Sequence, residues 1–259
     1  MSLFRQIYQY RELLLTNVKK DIRGKYKGSV LGVIWSFLNP LLQVFVYYLV
    51  FPYLLGNVIP NYLIYLITGL IPWTFFLSTV TGGTRCIKDN AGIIKKVYFP
   101  REILMISQVL SGLVNFYISC LIILIFCLFG GVGISIHVLL VPFIALIQAV
   151  LSLGLILILG SIEPYIQDLE FIVQFILQMG FYGTPVIYTI TQFQNAGWLL
   201  KIIEYNPLTV LLNAYRDCFL YHVWPDMNAI LIVLAGSLLL LIIGMMIFRK
   251  LERNFAEVL

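Results

Sequence analysis

The chain reads as an all-α integral membrane protein, a single transmembrane domain over residues 1–259, and three observations predict it. Composition is 61% hydrophobic and 11% charged, with a mean hydropathy of +0.95, which leaves too few polar groups to cover a soluble globule of this size. Fifteen of the seventeen Lys and Arg residues lie in the first twenty-seven residues, between Arg85 and Arg101, and in the last eleven residues. Long uncharged apolar runs separate these clusters, and cations in short loops mark the cytosolic side.

In chain order, residues 1–28 come first as an amphipathic interface helix. Phe4, Ile7, Tyr8, Leu14, Leu15, Val18 and Ile22 follow helical spacing, with Arg5, Gln9, Glu12, Lys19 and Arg23 largely on other faces. Its charges and the lack of a small-residue cleavage site argue against a cleaved signal peptide. A bilayer core takes about 20 apolar residues per helix. Runs of that order occur at Val30–Tyr53, Tyr62–Val80, Phe171–Ile190 and Ile230–Phe248. The uncharged stretch Ile103–Ile162 holds two more, near Ile103–Phe129 and Ile136–Ile162, divided at Gly130, Gly131 and Gly133. Six crossings follow, with both termini and the basic segment 85–102 in the cytosol.

The connector from Glu163 to Glu170 falls on the same side, although it carries only acids and reads as a solvated loop. Between the fifth and sixth runs, residues 184–226 contain two apolar stretches too short to cross, which predicts a pair of re-entrant helices at the outer face. Glycines at 24, 28 and 32 allow close helix packing at the start of the first span, or a hinge there.

Several functions are excluded. The net charge of +5 and pI near 9.0 come from cations beside spans, where they meet anionic headgroups, so nucleic acid is not the expected partner. Cys86, Cys120, Cys127 and Cys218 form no C-x-x-C pair, and no metal site or disulfide is expected. His137 and His222 sit near outer span ends as interfacial residues. The G-x-x-x-x-G-K-[ST] phosphate loop is absent, so any ATP and Mg belong to another subunit.

The six runs also lack the embedded acids and histidines that proton-coupled carriers and intramembrane enzymes use, and no acidic cluster suggests a membrane glycosyltransferase. The spans offer aromatic rings, hydroxyls and amides instead. Trp35, Asn39, Tyr47, Tyr48, Trp73 and Tyr117 are candidate channel-lining residues, with Gln43, Thr74, Asn115 and Gln178 beside them. Aromatic faces and amides suit a polyhydroxylated cargo, and the same aromatics also suit an ordinary interfacial belt.

Four segments carry a family resemblance: Lys20–Leu41 (KDIRGKYKGSVLGVIWSFLNPL), Ile94–Leu104 (IKKVYFPREIL), Thr184–Tyr188 (TPVIY), and Asn206-Pro207-Leu208 followed by Tyr215-Arg216-Asp217. Their order and sequence resemble the type-2 ABC transporter permeases that export bacterial surface polysaccharides. The resemblance implies a homodimer in the bacterial inner membrane, paired with two separate ABC ATPase subunits that bind ATP and Mg. The implied cargo is a lipid-linked polysaccharide such as O-antigen, with teichoic acid or a small amphipathic compound as alternatives.

The resemblance further implies that Lys95, Lys96, Tyr98, Phe99, Pro100, Arg101 and Glu102 couple to the ATPase, with Tyr98 and Phe99 as exposed aromatics. Pro185, Tyr188, Asn206, Pro207, Arg216 and Asp217 would form an outer gate, Arg216 meeting lipid phosphate or the partner protomer. The chain departs from the family at Leu104-Met105, where Leu-Pro is common, and at Gln167-Asp168, where Arg-Asp is common.

Overall fold

Helix length divides the apolar segments into two groups. The computed structural model describes residues 8–24, 35–55, 59–190 and 197–258. The helices in chain order are α1 (Arg11–Gly24), α2 (Trp35–Leu55), α3 (Tyr62–Asp89), α4 (Ala91–Ile94), α5 (Glu102–Phe129) and α6 (Val141–Ile162, entered through a 3-10 turn at Ile136–Leu140). Then come α7 (Leu169–Tyr182), α8 (Trp198–Tyr205), α9 (Pro207–Arg216, continued by a π turn Asp217–Tyr221), α10 (Met227–Leu251) and α11 (Phe255–Val258). Four of them, Tyr62–Asp89, Glu102–Phe129, Ile136–Ile162 and Met227–Asn254, are long and apolar enough to cross a membrane; Leu38–Pro52 and Leu169–Tyr182 are shorter apolar helices.

Two boundaries differ from the sequence expectation. The second apolar run does not end near Val80: α3 has 28 residues, about 42 Å at about 1.5 Å per residue, and overshoots about 30 Å of hydrocarbon by roughly two turns. Arg85 and Lys88 therefore stand on a helix rather than in a loop. The fifth run ends its helix at Tyr182 instead of Ile190, because Gly183 and Pro185 interrupt it. Its 14 residues reach only about 21 Å.

α3 is the central element: 78% of its apolar stretch is buried, against 22% for α10. It packs against α2, α5, α6, α7 and α9, while α10 lies along α6. Gly154 and Gly244 let those last two backbones approach closely, since a Cβ at Gly154 would sit 2.9 Å from the Leu241 nitrogen. Several buried hydroxyls, those of Thr68, Thr84, Ser152 and Ser237, are satisfied within their own helices, whereas those of Thr79 and Thr209 are buried without a hydrogen-bond partner among the described residues.

α1 packs against α5, burying Leu14, and Ser111 donates to the Asp21 carboxylate at 3.3 Å. Of the amphipathic pattern, Phe4 and Ile7 lie outside the described residues, as do Gly28 and Gly32 of the glycine repeat.

Candidate functional site

A polar stripe runs down α3. Thr74, Ser78, Thr81 and Arg85 recur at spacings of four, three and four, which puts them on one helix face. On α5, Gln108, Ser111, Asn115 and Ser119 make a second stripe, and on α7 Glu170, Gln174 and Gln178 make a third. Three cavities of about 790, 130 and 400 Å³ lie between these faces, and all three share Ser78. Together they form one groove from Lys20, Asp21 and Arg85 at its charged end to Asn39, Thr74 and Asn115 deeper in. Thr74 and Thr81 donate their hydroxyl protons to their own helix, to Leu70 and Leu77, which leaves each oxygen able to accept.

Below the groove, cations from α3 meet the acidic connector. Glu163 is fully buried and takes a 3.3 Å contact from the Lys88 ammonium. Glu170 lies 3.4 Å from Arg85 and 3.9 Å from Lys88, and Arg85 also reaches Asp89 at 3.7 Å. The connector is therefore not the solvated acidic loop that its sequence suggests, because the neutralising charge arrives from a helix 75 residues away. Burial raises the Glu163 pKa above the usual carboxylate range, with Lys88 opposing the shift. Asp168, the acid of the departed Arg-Asp pair, stays exposed at the start of α7.

Within the basic segment, α4 and a turn present Lys95, Lys96 and Tyr98 to the outside, with Tyr98 94% exposed. Phe99 is only 5% exposed and joins the core, correcting the expectation of two exposed aromatics. Pro100 and Arg101 turn the chain into α5, where Glu102 is buried and 3.6 Å from Arg249. Leu104 and Met105 are both buried in the first turns of that helix, which starts without the family's proline.

At the opposite end of the helices, the chain after α7 is non-helical yet buried, from Thr184 through Tyr188. Backbone there needs internal partners. The carbonyls of Val186, Ile187 and Tyr188 accept in turn from Arg216 (2.8 Å), Tyr62 (2.9 Å) and Tyr65 (2.6 Å). Arg216, 1% exposed, lies with its guanidinium carbon 3.6 Å from the centre of the Tyr65 ring. It thus faces neither lipid phosphate nor another protomer, contrary to the sequence expectation, because its own chain supplies the carbonyl and the ring.

Gly69 makes room for this arrangement: a Cβ there would meet Arg216 Nη2 at 2.7 Å and the Val186 oxygen at 2.9 Å. Asn206 caps α9 by accepting from Leu208 and donates to Thr184 at 3.1 Å, with Pro207 at the first helical position. Asp217 starts the π turn and makes no ion pair with Arg216 among the described residues. Pro185 is buried within the clamped stretch, and Tyr188 donates to the Tyr182 carbonyl.

Of the six channel-lining candidates, the structure brings Trp35 and Asn39 to the groove. Trp73 is 4% exposed and packs on Phe76 and Phe181, so it is a core side chain in this conformation. Tyr47 packs on Phe51 and Phe181, Tyr48 borders a separate apolar hollow beside Tyr62 and Phe129, and Tyr117 points its hydroxyl to the Pro142 carbonyl at 3.4 Å.

Sequence reasoning missed Ser78, Thr81, Gln108 and Gln148. The helical period of hydroxyls on α3 was the available signal for the first two. For Gln148 none existed: it is a lone amide, 1% exposed, that donates to the Pro72 carbonyl on α3 and accepts from Tyr215 on α9.

Comparison with known proteins assigns the chain to a family of membrane transport subunits. The family model of the ABC-2 type transporter matches residues 12–220. An O-antigen export system permease protein of Myxococcus xanthus is 35% identical over 99% of each chain. One of Klebsiella pneumoniae is 34% identical over 96% of this chain and 95% of its own length. The polysialic acid transport protein of Escherichia coli is 19% identical over 90% of this chain and 91% of its own. On the matched family model and these full-length similarities, the chain belongs to the ABC-2 type transporter family.

Proposed function

We propose that this chain is the transmembrane subunit of an ATP-driven exporter that moves a lipid-linked cell-surface polysaccharide, O-antigen or a similar glycan, across the bacterial plasma membrane. The groove along α3 is the observation that carries the reading: its deeper walls offer hydroxyls and amides such as Thr74, Ser78 and Asn115. Such groups exchange hydrogen bonds with sugar hydroxyls, and none fixes a charge that would hold the chain in place. The full-length similarity to O-antigen export permeases supports the same cargo class.

In this reading the protein catalyses no chemical step. Two copies pair around a path between them, six segments cross the membrane in each, and both termini are cytosolic. Two ABC ATPase subunits hold ATP and Mg, and their closure moves residues 85–102 and the amphipathic helix. Residues 184–226 close the outer mouth. ATP shifts the balance of conformations only through contacts that differ between the closed and open states.

Depletion of the protein in cells tests the proposal. Polymer attached to its lipid carrier should accumulate on the cytosolic side while surface glycan falls; unchanged levels of both would refute the assignment.

A further inference from the structure

The chain just beyond α10 is held by contacts to two other segments. Beyond α10, Phe255 is fully buried and packs edge-on against Phe248, with ring centres 5.8 Å apart. The guanidinium of Arg101 lies 5.5 Å from the Phe255 ring centre and donates to the Glu252 carbonyl. Arg249 returns the contact, 3.6 Å from Glu102. From the other cytosolic connector, Tyr165 donates to the Leu251 carbonyl at 2.9 Å. The segment 249–255 thus joins residues 98–102 to the connector 163–170. A cleft of about 660 Å³ opens between Tyr98, Arg101, Glu102, Arg249, Glu252 and Arg253.

Resting on the reading of the chain as a transport subunit, we propose that this C-terminal hook is part of the ATPase-docking surface and that the cleft receives an acidic projection of the ATPase subunit. Charge points to such a partner: Arg101, Arg249 and Arg253 line the cleft against the two carboxylates Glu102 and Glu252, and the exposed Lys95, Lys96 and Lys250 on the same two chain segments add to the positive balance. Tyr98 and Val97, 94% and 55% exposed, add an apolar knob beside it that a partner surface would cover. A concave cleft is filled by a protruding protein element and not by a flat layer of headgroups. The hook also lies past the hydrocarbon, since the 28-residue helix Met227–Asn254 measures about 42 Å against about 30 Å of membrane core.

The test places a photo-cross-linking amino acid at Arg253, Tyr98 or the exposed Ile232 near the start of α10 in the full chain, co-expressed with its ABC ATPase subunit in membranes. The proposal expects ATPase adducts at 253 and 98 and none at 232. An ATPase adduct at 98 without one at 253, or a lipid adduct alone at 253, overturns the hook's role and leaves the transport reading standing. Absence of ATPase adducts at both positions overturns the hook and also removes the coupling role of residues 95–102. As a second measurement, Arg253→Glu should cut ATPase co-purification about fivefold or more at unchanged permease levels. Unaltered co-purification would contradict the proposal.

Discussion

Arg216 holds its guanidinium 3.6 Å from the centre of the Tyr65 ring, and its Nη2 donates to the Val186 carbonyl at 2.8 Å. A buried cation is costly unless it is paired or hydrogen-bonded. Here a π face, a carbonyl and the Asn213 side-chain oxygen at 3.4 Å share that work, and the non-helical segment 184–188 is fixed to α3 and α9 as a result.

Arg216→Ala should therefore release residues 184–188. An orphaned buried carbonyl costs about 1–3 kcal/mol, and a desolvated cation–π contact contributes about 2 more. Thermal unfolding of the purified protein should shift downward and export should fall. Arg216→Lys should recover only part, because an ammonium lacks the planar fork. Gly69→Ala should reproduce the defect with Arg216 retained, because its Cβ would push against the guanidinium and the Val186 carbonyl. A variant at 216 with wild-type unfolding and export would contradict the clamp.

Lys88 and Glu163 should behave as a coupled pair. Lys88→Ala leaves a buried carboxylate without its cation, a loss on the order of 1–3 kcal/mol, reduced because Lys88 is itself 43% exposed. Adding Glu163→Gln should restore most of it. A double-mutant cycle on unfolding measures this, and strict additivity would show that the pair is not coupled.

Tyr98 and Phe99 should separate cleanly. Tyr98→Ala removes an exposed ring, so insertion and stability should persist while ATPase co-purification and export fall. Phe99→Ala empties a core position and should cost about 3–5 kcal/mol of stability. Export at the normal level in Tyr98→Ala would exclude this ring from coupling.

The C-terminal hook should be pH-sensitive. Burial, reinforced by the Glu102 carboxylate, pushes the Glu252 pKa up to about 7 from the usual 4.5, against Arg101, Arg249 and Arg253. A carboxyl raised on folding stabilises the folded hook fully below about 4.5, and that stabilisation is lost as pH rises through about 7. Amide exchange of residues 249–255, corrected for intrinsic rate, should show more protection at pH 6 than at pH 8. Glu252→Gln should flatten the difference, and equal protection at both pH values in the parent would rule the effect out.

The helical membrane architecture was legible because apolar run length and cation placement act locally along the chain. Helix ends were less so: Arg85 and Lys88 read as loop residues, but a helix continues past the hydrocarbon when nothing breaks it. Pairings across the fold were not legible at all. Glu163 finds Lys88, Arg216 finds Tyr65 and Gln148 finds Tyr215 through tertiary packing, which leaves no local periodicity in the sequence. Among the lining candidates, aromatic character pointed as readily to the core as to the groove. Trp73 went to the core, whereas Ser78, a small hydroxyl without hydropathic signal, came to the centre of the groove.

Occupation of that groove by cargo is the central claim, and modification at Ser78 tests it most directly. In a background with the four buried cysteines replaced, Ser78→Cys should react with a bulky thiol reagent, and surface glycan delivery should then stop while ATPase association persists. The same label at Leu121 of α5, 55% exposed and outside the groove lining, should leave delivery unchanged. Complete modification at position 78 with glycan reaching the surface at the unmodified rate would contradict the account.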